Sequence, residues 1–105
     1  MTALEAGQTI KVEIDSEIRS IIPEFLSNRK KDCLLIVELL NERAFDAIRV
    51  LGHRMKGAGG SFGFDDISCI GEVIELAAMA GDGEGISQSV AKLSQYLERV
   101  RVIYV

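Results

Sequence analysis

The sequence predicts an all-α protein, an up-down four-helix bundle with an additional N-terminal helix. Apolar residues recur every three or four positions through most of the chain, which is the period of a buried helix face. The links between these periodic stretches are short, so successive helices should be antiparallel neighbours. A chain of 105 residues with 48% hydrophobic residues is long enough to bury one modest core and too short for a second.

The N-terminal residues lack this helical period. We therefore expect residues 1–14 to form a tail and residues 15–105 to form the bundle. Within the tail, residues 9–14 alternate apolar and polar side chains like a short strand, but one isolated strand is only marginally stable. The tail is expected to pack on the body of the protein.

Two helical segments should follow the tail. The first begins at Asp15 and Ser16, which are both good N-caps. Pro23 falls inside this segment and should either kink the helix or begin a new one. The second segment covers about residues 29–41. Its apolar face should be formed by Leu34, Val37 and Leu40 or their neighbours.

The third helical segment covers about residues 44–62 and contains the single histidine of the chain, His53. Its apolar residues lie within about 40° of a common direction at roughly 100° per residue, and His53 lies roughly 180° from it. Those apolar residues are Ala44, Ile48, Leu51, Met55, Ala58 and Phe62. The imidazole should therefore point towards solvent from the middle of this helix.

Two further segments complete the bundle. The fourth should begin at a cap formed by Asp65 and Asp66 and end before Gly81. Its buried residues should be Ile67, Ile70, Ile74 and Ala77. The fifth should begin near Glu84 and extend to Tyr104, with heptad-like apolar spacing at Ile86, Val90, Leu93, Leu97, Val100 and Tyr104. One shared core should include Leu51, Met55, Ile70, Ile74, Leu93 and Leu97.

The surroundings of His53 are unusual. Lys56 and Gly57 lie three and four residues further on, beside the imidazole, and Gly60 leaves the next turn bare. Each glycine inside a helix costs roughly 1 kcal/mol relative to alanine, so their number suggests that a partner approaches closely. Arg49, four residues before His53, adds a second cation, although it is equally well interpreted as a solvated surface arginine.

This arrangement suits phosphoryl chemistry. Nearby cations keep the imidazole neutral near pH 7, the form that can attack phosphorus. The same cations, Lys56 and Arg49, would then stabilise the transferred phosphoryl group.

Other classes of function fit poorly. A net charge of −4 argues against nucleic acid as the main partner. We expect no membrane span and no signal peptide. One histidine and two distant cysteines do not supply a zinc site. The two cysteines, Cys33 and Cys69, are expected to be buried free thiols of a protein in the reducing cytoplasm. The glycines follow a helix and lack the Gly-Lys-Ser/Thr of a nucleotide loop. Asp46 and Ser61 are poorly placed to complete a hydrolytic triad with His53.

Several of these residues together resemble the histidine phosphotransfer (HPt) domain. The resemblance extends from about residue 14 to residue 104. It is carried by His53-x-x-Lys56-Gly57, the small residues through Gly60, Phe62-Gly63, the entry Ile22-Pro23-Glu24-Phe25-Leu26, the acidic-start helix ending near Ala80-Gly81-Asp82, and the closing amphipathic helix.

The resemblance implies that His53 accepts a phosphoryl group from a receiver-domain aspartate and passes it to another receiver. It implies a phosphate contact for Lys56 and clearance for the receiver at Gly57 and Gly60. Family members often carry a glutamine beside the imidazole where this chain has Glu75. A carboxylate at this position can orient the ring through its N–H, but it would repel a phosphoryl group.

Such a domain is a phosphoryl carrier and not an enzyme with its own ATP site. It needs no cofactor or metal of its own, and it works as a monomer with a receiver domain or a sensor histidine kinase. The alternatives are a helical interaction module that binds a receiver or a partner helix without phosphotransfer, and a small hydrolase with His53 as general base.

Overall fold

A computed structural model describes residues 8–105, in which four α-helices are joined by short turns. Each helix packs on the next, and the last helix also packs on the first, so that the four close a bundle. None of the helices in this described part is long and apolar enough to cross a membrane. The elements in chain order are β1 (Ile10–Ile14), a 3-10 helix (Ser16–Ile21), α1 (Ile22–Asn41), α2 (Phe45–Ser61), α3 (Asp65–Met79), α4 (Gly83–Arg99) and β2 (Val100–Tyr104).

The chain enters the bundle through the 3-10 helix and not through a separate N-terminal α-helix. Asp15 caps it, because its carboxylate accepts a hydrogen bond from the N–H of Glu17 at 2.9 Å. Pro23 lies in the first turn of α1, where its missing N–H costs no helical hydrogen bond. Of the two expectations for Pro23, a new helix is therefore correct. The break expected near residue 29 is wrong, since α1 continues through it.

α1 turns a different set of residues to the core from the one expected. Of the residues expected on the apolar face, Leu34 and Val37 are exposed, and it is their neighbours Cys33 and Ile36 that are buried. The rotation of the helix is set near its start, where the Phe25 ring stacks on Phe64 and meets the edge of Phe62. The buried residues of α1 are Ile22, Phe25, Cys33 and Ile36.

The two strands form a parallel pair that joins the two ends of the described chain. Ile10 pairs with Val100 and Ile14 with Tyr104. The expectation that the last helix extends to Tyr104 is therefore wrong, since α4 ends at Arg99. Because residues 100–104 are mostly β-branched or aromatic and alternate in exposure, they suit a strand once β1 offers a partner. Residues 1–7 of the expected tail lie outside the described residues.

The core lies between the helices, much as the apolar periodicity predicts. Met55, Ile74, Leu93 and Leu97 are buried, while Leu51 and Ile70 are half-buried and pack against them. Ile14 of β1 is also buried, and its side chain reaches the turn at Gly63. The turn that ends α2 is therefore held by both the bundle and the strand pair.

Candidate functional site

The backbones of α2 and α3 touch, because glycines occupy the contact between the two helices. A Cβ atom added to Gly52 would lie 2.7 Å from the backbone nitrogen of Glu75. One added to Gly59 would lie 2.6 Å from the backbone nitrogen of Ser68. No side chain fits at these distances, so glycine is required for the close approach. Side chains on α3 are thus brought directly beside those on α2.

His53 lies in the middle of α2 and points away from the core. Its side chain is 69% exposed, and its Nδ1 atom lies 3.0 Å from the Oε2 atom of Glu75 on α3. The Glu75 side chain is only 17% exposed, so it is held between the helices and does not sweep freely through solvent. Among residues 8–105, no other side chain is hydrogen bonded to the ring.

This hydrogen bond selects one form of the neutral imidazole. A carboxylate only accepts hydrogen bonds, so Nδ1 must be the protonated nitrogen that donates to Glu75. The lone pair of a neutral ring is then on Nε2. Because the side chain is exposed, this nitrogen is available to an incoming electrophile.

Lys56 lies one turn after His53 and is paired with a second carboxylate of α3. Its Nζ atom is 3.2 Å from the Oε2 atom of Glu72. Its backbone carbonyl accepts a hydrogen bond of 2.8 Å from the hydroxyl of Ser68. Both side chains of the ion pair are about half exposed, so the pair is weak and readily exchanged.

The glycines after Lys56 differ in their surroundings. A Cβ atom on Gly57 would meet nothing within 4 Å, and one on Gly60 would meet only the Ser68 hydroxyl at 3.7 Å. Both residues are exposed on the same side of α2 as His53. Arg49, half-buried one turn before His53, makes no ion pair with any residue in the described part of the chain.

In a comparison with known families, the model of the Hpt domain matches residues 20–102. The chain belongs to the Hpt domain family. Hpt domains are phosphocarrier modules of two-component phosphorelays, in which they interact with receiver domains or histidine kinases. No curated protein and no solved structure matches the chain.

Two residues at the site of this Hpt domain are not found by sequence reasoning. Glu72 and Glu75 lie three residues apart on one helix, so they could be paired carboxylates, but this spacing usually marks a solvated face. Ser68 carries no signal in the sequence at all. Glu72 and Ser68 both reach Lys56 only because glycines bring α3 against α2. Glycines near His53 were expected from the sequence to allow the close approach of a partner protein, but they were not expected to allow the close approach of α3.

The two cysteines are among the remaining titratable groups of the Hpt domain. Cys33 is buried, and burial together with the Asp32 carboxylate raises the pKa of its thiol. Cys69 is exposed on α3, so the expectation that both thiols are buried is wrong for it. Within residues 8–105, no group of three His, Cys, Asp or Glu side chains is arranged to hold a metal ion.

Proposed function

We propose that this Hpt domain accepts a phosphoryl group on Nε2 of His53 from an aspartyl phosphate of a receiver domain and passes it to another receiver. The hydrogen bond between His53 Nδ1 and Glu75 is the observation that carries the proposal. With this hydrogen bond, the proton of the neutral ring is held on Nδ1 and Nε2 is the nucleophilic nitrogen before the receiver binds. The domain is then a carrier and not a kinase, and it works with receivers and kinases of the cytoplasm.

The transfer balances without any proton leaving the site. The lone pair of Nε2 forms the new N–P bond, the O–P bond of the aspartyl phosphate breaks, and its electron pair remains on the receiver's carboxylate. The ring then carries the phosphoryl group on Nε2 and the proton on Nδ1, with a positive charge beside the Glu75 carboxylate. Glu75 is in this way a positioning residue that also stabilises the product.

Two cations support the phosphoryl group. Lys56 lies one turn after His53 and is free to leave an exposed ion pair with Glu72 when a stronger anion arrives. A phosphoryl group carries nearly two negative charges at pH 7 and offers three acceptor oxygens. Arg49, one turn before His53, is the second cation, and it has no carboxylate partner among residues 8–105 to give up.

The bare surface around His53 suits a receiver domain. Gly57 and Gly60 leave room beside the imidazole, which an aspartyl phosphate at the bottom of a receiver's acidic pocket requires. Exposed apolar side chains border this surface, namely Val50 on α2 and Leu76 and Met79 on α3. The receiver supplies the acidic pocket and Mg²⁺, while this domain supplies the nucleophile.

The test uses two phosphodonors. Phosphoramidate phosphorylates accessible histidines directly, and a receiver domain phosphorylated with acetyl phosphate tests transfer from aspartate. We expect the wild-type protein to acquire label that is labile in acid and stable in base from both donors. His53→Gln should acquire none, yet keep its stability within about 0.5 kcal/mol because the position is exposed.

The same experiment separates the alternative function. A helical interaction module would bind the receiver, in a pull-down or by calorimetry, without acquiring phosphate. Label on the His53→Gln protein would move the site elsewhere in the chain and overturn the assignment.

A further inference from the structure

The exposed face of α1 carries two leucines at its centre. Leu34 is 72% exposed and Leu35 is 41% exposed, on the side of the helix away from the buried Cys33 and Ile36. Leu34 is the most exposed of the large hydrophobic residues in the described part of the chain. Such a pair of leucines on a helix surface is costly to leave in water and is typical of a contact surface.

Charged residues of opposite sign flank the leucines along the same face. Lys31 lies one turn before them and Glu38 one turn after them, and both are exposed. The positions follow the spacing i, i+3, i+4, i+7, so the four residues form one stripe of about two turns. Neither charge takes part in an ion pair among residues 8–105.

We propose that this stripe is the interface of a homodimer, in which α1 packs antiparallel on α1 of a second copy about a two-fold axis. The axis passes between the leucines, so that Leu34 of each copy contacts Leu35 of the other. The same register brings Lys31 of each copy opposite Glu38 of the other. A two-fold contact repeats each of these pairs, which gives four leucines at the centre and an ion pair at either end.

The order of the charges favours a second copy over another occupant. Basic, apolar and acidic residues follow one another along the stripe, and the partner must present the same order reversed. An antiparallel copy of the stripe does this without any further requirement. A parallel copy would place like charges against each other, which is destabilising.

The proposed dimer does not cover the phosphoryl acceptor. α1 packs mainly on α2 and α4, whereas His53 lies on the side of α2 that faces α3. Both imidazoles of a dimer would therefore remain open to receivers. This proposal departs from the monomer expected from the sequence, and it rests on the exposure of Leu34 and Leu35.

A single helix pair makes a small interface, so the dimer should be weak. Interfaces well below 1,200 Å² are typical of transient association. We therefore expect sedimentation velocity of the wild-type protein to show a reversible monomer–dimer equilibrium between about 1 µM and about 1 mM. A wild-type protein that sediments as a monomer throughout this range would overturn the proposal.

Charge reversal then tests the register. Lys31→Glu and Glu38→Lys should each weaken self-association by at least about tenfold, because each places like charges opposite each other. An equimolar mixture of the two single variants should dimerise, since each chain then meets its complement. The double variant should dimerise like the wild type. Lys92→Glu on α4 is the matched control and should leave the equilibrium unchanged, with circular dichroism showing that every variant is folded.

The outcomes decide the proposal independently of phosphotransfer. If Lys31→Glu self-associates as well as the wild type, or if the mixture stays monomeric, α1 is not the interface. Phosphorylation of His53 by phosphoramidate should be equal in all of these variants.

Discussion

A Cβ atom on Gly71 would lie 2.6 Å from the backbone nitrogen of Lys56. The backbone of α3 therefore touches that of α2 within one turn of His53. Glu72 and Glu75, which follow Gly71 on α3, owe their places beside Lys56 and His53 to this contact. The geometry of the site is fixed by two helix backbones and does not depend on flexible side chains alone.

The first prediction tests this contact against a matched glycine. Gly71→Ala should destabilise the protein by about 1–3 kcal/mol, because the methyl group forces two backbones apart. Gly57→Ala should be neutral or stabilising by up to about 1 kcal/mol, since the added methyl group meets nothing within 4 Å and alanine favours the helix. Denaturant unfolding of both variants measures the difference. Equal stability of the two would contradict the packing described for α2 and α3.

A second prediction concerns Glu75. Glu75→Ala should slow phosphorylation of His53 by at least about tenfold, because nothing then holds the proton on Nδ1. Glu75→Gln should slow phosphorylation less than Glu75→Ala does, because the glutamine amide oxygen still accepts the hydrogen bond from Nδ1 although the negative charge is lost. Nitrogen-15 shifts of the imidazole report the tautomer directly. If the imidazole of the Glu75→Ala protein still carries its proton on Nδ1, the tautomer does not depend on the Glu75 carboxylate and the role assigned to Glu75 is wrong.

The third prediction concerns the competition between Glu72 and the phosphoryl group for Lys56. Glu72→Gln should increase the fraction of phosphohistidine at equilibrium with a receiver by about two- to fivefold, which corresponds to an exposed ion pair. In the Lys56→Ala background the same change should have a smaller effect, because only direct repulsion by Glu72 remains. Glu98→Gln on α4 controls for the loss of one charge. An equal effect of Glu72→Gln in both backgrounds would show that the ion pair plays no part.

A fourth prediction separates docking from chemistry at Gly60. Gly60→Leu should weaken binding of a receiver, because it places a side chain where the partner approaches. Phosphorylation by phosphoramidate, which is small, should proceed at the wild-type rate. Calorimetric titration with the receiver and labelling with phosphoramidate give the two readouts. Our interpretation of Gly60 as clearance is wrong if the leucine variant binds the receiver normally.

The fifth prediction concerns Tyr96, whose buried hydroxyl has no hydrogen-bond partner among residues 8–105. Burial, helped by Asp66 and Asp65, raises the pKa of Tyr96 above its ordinary value of 10.0 to about 12. The folded state thus favours the protonated phenol, and this contribution to stability is lost as the pH rises from 10 to 12.

Tyr96→Phe should remove that part of the alkaline loss and leave stability near neutral pH unchanged or slightly higher. The free energy of unfolding, measured at neutral pH and between pH 10 and pH 12, tests both statements. A variant that is clearly less stable at neutral pH would mean that the hydroxyl has a partner after all.

The helices next to the site could be predicted from the sequence because their apolar stripes are long and in phase. The end of α4 could not, since Val100 and Tyr104 continue the helical spacing while Val100, Val102 and Tyr104 also alternate as in a strand. Only the presence of β1 decides between these two periods, and that is a long-range pairing that a local pattern does not contain.

Part of the candidate site could likewise be predicted from the sequence, and part of it could not. The exposure of His53 follows from the wheel of one helix, which a sequence shows directly. The contact of Lys56 with Glu72 depends on the distance between two helices, and that distance depends on Gly52 and Gly71 meeting backbone atoms. A helical wheel gives the direction of each side chain around one helix axis, but it does not give the distance between two helices. The contact between Lys56 and Glu72 could therefore not be predicted from the sequence.

The parallel pairing of β1 with β2 also has a consequence for how the protein assembles. The two strands stand at opposite ends of the described chain, so bringing them together carries the largest entropy cost of any contact in the fold. They can pair cheaply only after the helices between them have docked. We therefore expect the strand pair to form last in folding and to separate first in unfolding. Because Ile14 of β1 is buried and lies against Gly63, separation of the strands would remove a packing contact from the turn after the His53 helix.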